Sequence, residues 1–282
     1  MKPINSLTSF FCVVTFFTFG GLIKAADVVA SEVSQAIVEQ PANVSSPLIE
    51  IPLVPIYEES SWLTKNQLVS YWIGKNDVTV EQYTAFLNAV AATDTYHLYD
   101  ERMECVSAWD PYYSYMITRS GSPGHYTYRS TSNNGLTPIS FVDLYCALRF
   151  CNWLHNGQSV GNQDKTTTER GAYTLDGATA TQNSSFTLNT KEAKWFIPTY
   201  DQWNKISGDI MSDNGIIFTM LRWSATIDIL LHSNTLSAFI VQSGMFYGVS
   251  SYPASVDVKS SAITFRVAAP VSNLNRDERR RN

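Results

Sequence analysis

Cysteine, histidine and charge are all scarce in this chain, and each scarcity removes a class of function. Its 282 residues contain four cysteines, Cys12, Cys105, Cys146 and Cys151, and none follows Cys151. Cys12 sits inside an N-terminal apolar run, so the remaining three form an odd set that allows one bridge at most and no disulfide scaffold. Cys146 and Cys151 fall on a predicted helix about 140° apart and beyond each other's disulfide reach, so they read as two small core or boundary residues. The alternative, in an oxidising compartment, is that one of them pairs with Cys105. The histidines, His97, His125, His155 and His232, are scattered and never take a two-histidine helical spacing, so no iron or other metal site is predicted. Charged residues are 16% of the chain, and 20 Lys+Arg against 25 Asp+Glu give a net charge of -5. That balance offers no general attraction to nucleic acid or to an anionic membrane. Also missing are a Gly-x-Ser-x-Gly elbow, a phosphate-cradling glycine loop, internal repeats and low-complexity blocks.

What the chain does have is apolar material, 44% hydrophobic and 13% aromatic, enough for one substantial core. The run Phe10 to Ile23 has about 14 residues, short of the about 20 that span a bilayer. With Lys2 ahead of it and Ala25 and Ala26 behind, residues 1–26 read as a signal peptide. An uncleaved anchor is the alternative. Cleavage would leave a mature chain beginning near Ala26 or Asp27, with no stable membrane span and a periplasmic or extracellular location. Residues 27–60, broken by Pro41, Pro47, Pro52 and Pro55, read as a linker that becomes ordered only near the domain. The domain is expected over 61–271, and 272–282 forms a polar tail.

Three segments carry helix-start chemistry. Thr79-Val80-Glu81-Gln82 opens the first, and Val80, Tyr83, Phe86, Leu87 and Val90 then form an apolar stripe. Ser140-Phe141-Val142-Asp143 opens the second, with Leu144, Ala147, Leu148, Cys151 and Leu154 on one face and Gly157 as its stop. Arg149, about 100° around that helix from Leu148, is expected off the buried face. Thr199-Tyr200-Asp201-Gln202 opens the third behind Pro198, with Trp203 and Ile206 inward. Between the helices lie turn sequences such as Ser120-Gly121-Ser122-Pro123-Gly124 and short β-rich runs, which together predict an α+β fold with much irregular structure.

Four blocks in order, IGKNDVTVEQYTAFLNAV from Ile73, TPISFVDLYCALRFCNWLHNG from Thr137, FIPTYDQWNKI from Phe196 and TFRVAAP from Thr264, resemble the formylglycine-generating enzyme, or sulfatase-modifying factor, family. FLNAVAATDTYHLYD and ITRSGSPGHYTY look like exported bacterial members. The resemblance, spanning about Trp62 to Pro270, implies a C-type-lectin-like fold with a few short helices. Active members oxidise a cysteine of a sulfatase segment using copper held by two cysteines spaced five apart, ahead of the Gly-Phe-Arg-like strand. The matching stretch here, Gly244 to Phe265, contains no cysteine, and its serines and tyrosines cannot replace a thiolate pair on Cu(I). Nor does the stretch between Ile206 and Gly244 keep the family's calcium-associated Gly-Asn-Val-Trp-Glu-Trp-like motif, and Asp213, Asn214 and Asp228 supply too few oxygens for calcium.

The resemblance therefore implies no cofactor, and two functions follow from it. One is a catalytically silent binding module for an unknown peptide, glycan or protein ligand, without a nucleic-acid partner. The other is an oxidoreductase-type enzyme that uses non-cysteine residues on the same scaffold. For the binding reading, Arg222, Trp223, Phe246 and Tyr247 are the candidate ligand contacts, with ordinary core roles as their alternative. Arg266 reads as a structural hydrogen-bonding arginine.

Overall fold

The structure is a computed structural model, and it describes residues 49–57, 69–104, 117–131, 136–180, 186–189, 191–205, 221–229, 236–244 and 248–272, all within the compact unit Ser45–Asn282. The signal-like run, Cys105, Ile206, Asp213, Asn214, His232, Phe246, Tyr247 and residues 273–282 of the polar tail lie outside the described residues.

A three-stranded antiparallel sheet joins the two ends of the domain. Its strands are β1 (Leu53–Tyr57), β2 (Val69–Gly74) and β11 (Ala268–Pro270), ordered β1-β2-β11. Ile73 is paired with Val54 on one side and Ala268 on the other. β1 lies in the stretch expected to be a linker ordered only near the domain: Pro52 and Pro55 break helices, but an edge strand tolerates proline because one side of its backbone needs no partner.

Helix α1 (Val80–Val90) starts where the capping box predicts. Thr79 Oγ1 accepts from Gln82 N, Gln82 Oε1 accepts from Thr79 N, and the whole predicted stripe is buried. Helix α2 (Leu144–His155) differs from expectation in two ways. Its N-cap is Asp143, whose Oδ1 accepts from Cys146 N at 2.8 Å, rather than Ser140. Phe141 takes a left-handed φ of 60° and donates its N–H to Ser260 O, so no helical turn can form before Asp143. Second, every residue from Leu144 to Leu154 is buried, not one face of them. α2 is enclosed on all sides, as a helix apolar nearly all round should be. Its end is a Schellman turn: Gly157 at φ 73° donates to Leu154 O and Gln158 to Trp153 O.

The core between the two helices is aromatic. Phe150 packs edge-on against Phe86 at 5.3 Å and Phe265 at 5.4 Å, and Trp153 lies 5.2 Å from Phe86. Such tilted contacts add about 0.5–1.5 kcal/mol per pair to simple burial. Helix α3 (Tyr200–Asn204) repeats the capping box with Thr199 and Gln202 and buries Trp203.

The rest is short strand and turn. β3 (Ile117–Ser120) and β4 (Thr127–Ser130) form a hairpin. In its turn Gly121 is required, because at φ 94° an added Cβ would fall 2.3 Å from His125 O. β5 (Tyr173–Thr174) pairs with β6 (Thr187–Leu188). The C-terminal part builds a four-stranded sheet from β7 (Leu221–Ile229), β8 (Leu236–Gly244), β9 (Gly248–Ser255) and β10 (Ile263–Thr264), ordered β10-β7-β8-β9. The fold is α+β with much irregular structure. No helix among the described residues is long and apolar enough to cross a membrane.

Candidate functional site

The turn from β2 into α1 supplies the floor of a cleft. Asn76, Asp77, Val78 and Thr79 line it from that turn, Glu81, Gln82 and Ala85 from the first turns of α1, and Val267 from the approach to β11. The opposite side is Ile49, Glu50, Ile51 and Pro52, with Leu136 near by. Two glutamines hold that side in place. Gln82 Nε2 donates to Glu50 O at 2.7 Å, while Gln158 accepts from Ile49 N and donates to Ile49 O. The cleft encloses about 410 Å³, within the about 300–1,000 Å³ of small-ligand sites. Ile49, Ile51, Val78, Ala85, Leu136 and Val267 give it apolar walls, and Leu136 remains 51% exposed.

Asp77 connects this floor to two of the arginines singled out in the sequence. Arg222 donates from Nε to Asp77 Oδ1 at 2.6 Å and from Nη2 to Oδ2 at 2.9 Å, and Arg266 Nε donates to Oδ1 at 3.1 Å. Burial by itself would push the Asp77 carboxyl up, but the two guanidiniums outweigh it and hold the carboxyl below its ordinary value. Arg266 is shifted down as well, which for a guanidinium disfavours the charged form. Burial lowers it, against the pull of Asp77.

Arg222 and Trp223 therefore have structural partners. Arg222 is buried against Asp77, and Trp223 is wholly buried with its indole N–H donated to Val142 O at 2.8 Å. Neither side chain offers a surface to a ligand in this conformation. An aromatic or arginine on a strand reads alike as surface anchor or core piece, because what decides is which element covers it. Arg266 takes the structural hydrogen-bonding role expected of it. The cleft is not legible in the sequence because one of its sides, Ile49, Glu50, Ile51 and Pro52, sits in the expected linker. The signal that was available is Glu81, an acidic residue in the first turn of a capped helix.

Cys146 and Cys151 are free thiols, buried in α2. Burial pushes both up, away from thiolate formation, with Asp143 adding to the effect at Cys146. Arg149 departs most from expectation. It is buried in a fork with Glu169, Nε to Oε1 at 2.7 Å and Nη2 to Oε2 at 3.0 Å, and its guanidinium lies 4.0 Å from the Tyr96 ring centre. Among the described histidines, His97 lends its carbonyl to Lys259 Nζ, His125 is exposed in the β3–β4 turn, and His155 Nδ1 accepts from Lys194 N. No group of three or more His, Cys, Asp or Glu able to hold a metal occurs among the described residues.

No family model matches the chain, and no curated protein matches it. The solved structures similar to it include the following two. The crystal structure of CarF is 14% identical, over 79% of this chain and 100% of that one, with a TM-score of 0.45. Treponema denticola variable protein 1 is 14% identical, over 79% of this chain and 93% of its own, with a TM-score of 0.40.

Proposed function

We propose that this chain is an exported binding module whose body is a divergent, C-type-lectin-like member of the formylglycine-generating enzyme family, silent as a formylglycine generator. The cleft beside α1 carries the binding reading. It combines apolar walls, a half-exposed leucine and a few fixed polar groups, the composition expected of a ligand site. The silent half of the reading is supported by the lack of cysteine from Gly244 to Phe265 and by the burial of both thiols on α2. A reaction that needs an accessible thiolate pair has no residues here to run on. The four sequence blocks support the family, and the apolar run Phe10 to Ile23 supports export.

The test is made on the full chain recovered after export. Incubated with Cu(I), oxygen and a Cys-x-Pro-x-Arg peptide, it is expected to leave the peptide mass unchanged. Exposed to peptide and glycan arrays, it is expected to retain at least one ligand, and Ala85→Trp, which fills the cleft, is expected to abolish that retention. Conversion of the peptide cysteine to formylglycine would overturn silence. Ligands retained equally by Ala85→Trp would remove the cleft from the function.

A further inference from the structure

The end of α2 carries a histidine whose ring nitrogen is in use. His155 Nδ1 accepts the backbone N–H of Lys194 at 3.2 Å, and Lys194 Nζ returns to His155 O at 3.5 Å. An imidazole nitrogen accepts only while it carries no proton, so this bond fixes the ring as neutral with its proton on Nε2. Turning the ring over cannot rescue the bond once the ring is charged, because both nitrogens of the cation are donors. Cδ2 lies close over Gly171, where an added Cβ would come within 3.3 Å of it, so the ring is held from that side too.

The groups around the ring oppose its protonation on balance. Lys194 and Glu192, one of each sign, act on it from the segment 191–195. Arg170 flanks Gly171, with its guanidinium turned to Asp176 at 2.8 and 2.9 Å. A helix C-terminus would by itself favour a cation. Burial and the Lys194 ammonium outweigh that end and Glu192, and they hold the imidazole below its ordinary value.

The segment that the bond holds is anchored on both flanks. Asn189 N donates to Ala172 O, and Phe196 exchanges two bonds with Ala268. Between these anchors, Lys194 ties the chain to α2, and its neighbour Trp195 is half-buried.

We infer that His155 is a pH-operated latch: its neutral ring holds residues 191–195 on the end of α2, and protonation of Nδ1 turns the acceptor into a donor and releases them. The sign follows from the ring being harder to protonate latched than free. The latch is complete above the ordinary imidazole value of about 6.5 and is lost as pH falls toward the lower, latched value. One proton is taken up on release, so the ratio of released to latched rises by up to about tenfold per pH unit in that window. None of these residues lines the cleft, so the latch does not depend on the binding reading.

The experiment follows the full chain, isotope-labelled, by NMR from about pH 7.5 to about pH 5, across the ordinary imidazole value. The His155 nitrogen shifts should show Nδ1 unprotonated at the upper end and a titration midpoint below about 6.5. Protection of the Lys194 N–H, corrected for the intrinsic pH dependence of amide exchange, should fall in step with that titration, and the Trp195 indole signal should shift with it. Asn189 and Phe196 should keep their protection. His155→Asn puts an amide oxygen near the place of Nδ1 and cannot titrate there, so it should keep Lys194 protected across the range, whereas His155→Leu should leave it unprotected throughout. Lys194 protection that stays constant through the His155 titration overturns the latch, as does an Nδ1–H tautomer at neutral pH. The same fall in His155→Asn as in wild type overturns it in favour of other groups. A fall at Lys194 with the Trp195 signal unmoved means that a bond breaks and nothing is released, and simultaneous loss at Asn189 and Phe196 means general acid unfolding; either overturns the inference.

Discussion

The Arg149–Glu169 pair and the Asp77–Arg222–Arg266 triad are equally buried but are completed differently. The pair joins residues 20 apart in sequence and balances one charge with one charge. Both carboxylate oxygens have a second donor: Thr168 Oγ1 donates to Glu169 Oε1 and Gly177 N to Oε2, while Arg149 Nη2 also reaches Ala178 O. The triad joins residues 145 and 189 apart and, among the described residues, sets one carboxylate against two guanidiniums, with Arg266 Nη1 left without a partner among them. A complete, balanced pair is a piece of core around which loops 168–178 are laid. An unbalanced one is a clamp, and here it fastens the β7 and β10–β11 strands to the start of α1 through one side chain. The two should therefore fail in different ways.

The largest effect is expected at the pair. Arg149→Ala leaves Glu169 charged and enclosed, a type of loss that costs about 3–5 kcal/mol, against a total of about 5–15 kcal/mol for a domain. Leu148→Ala, its neighbour on α2, should cost about 2–5 kcal/mol as a core deletion. The two variants are thus expected to have similarly lowered urea midpoints, with that of Arg149→Ala at or below the other. This reverses the sequence expectation that Arg149 would be the tolerant position. An Arg149→Ala midpoint near wild type would show that Glu169 finds water or another partner, and the contrast with the triad would collapse.

At the triad, Asp77→Asn keeps the shape and one acceptor but removes the charge, so a smaller loss of about 2–3 kcal/mol is expected at neutral pH. The loss should be regional. Hydrogen exchange is expected to quicken in β7 and β10 before α1 or α2, whereas Arg149→Ala should quicken all of them together. The pH dependence follows from the two arginines holding the folded Asp77 carboxyl below its ordinary value. Its contribution is complete above the unfolded value of about 3.9 and is lost as pH falls toward the folded value. The gap between wild type and Asp77→Asn should therefore be widest from about pH 5 upward and close on acidification below about pH 4. A gap that stays constant to pH 3 would mean that shape, not charge, makes the clamp.

The same two centres mark where the sequence could be read and where it could not. Helices α1 and α3 begin at Thr79 and Thr199 as expected, because a capping box and an apolar stripe are satisfied within a few residues. The start of α2 was misplaced by three residues because Phe141 is turned left-handed by Ser260, which lies 119 positions away. Arg149 looked like a solvent-facing position because its partner is Glu169, and nothing local announces that pairing. The cleft was hidden for a related reason: Pro52 and Pro55 signal a linker unless it is known that β1 is an edge strand. Trp223 was visible as an aromatic, but its burial depends on Val142 and on the strands around it.

The smallest effect expected is at the α1 cap, where clamp and cleft meet. Thr79 Oγ1 accepts from Gln82 N at 3.2 Å, and the Gln82 side chain continues the chain of bonds to Thr79 N and to Glu50 O. Thr79→Ala removes one such bond, for which helix caps report about 0.5–2 kcal/mol. For a domain of this size about 1 kcal/mol moves Tm by about 2–4 °C. The loss should stay that small because seven residues of α1 are buried and hold the helix without its cap. Thr199→Ala tests the same box on α3, where five residues bury only Trp203 and lean on Tyr71, whose hydroxyl donates to Gln202 O. There the cap is a larger share of what holds the helix, so Thr199→Ala should lower Tm at least as much as Thr79→Ala and should unprotect α3 locally. Thr79→Ala should instead quicken exchange at Gln82, whose N–H loses its acceptor, and leave Ile49 protected, because the Gln82 side chain keeps its bonds to the residue-79 N–H and to Glu50 O and Ile49 N is held by Gln158. A Thr79→Ala loss well beyond about 2 kcal/mol would mean that the cap also sets the position of Asp77, making the clamp and the first turn of α1 one unit.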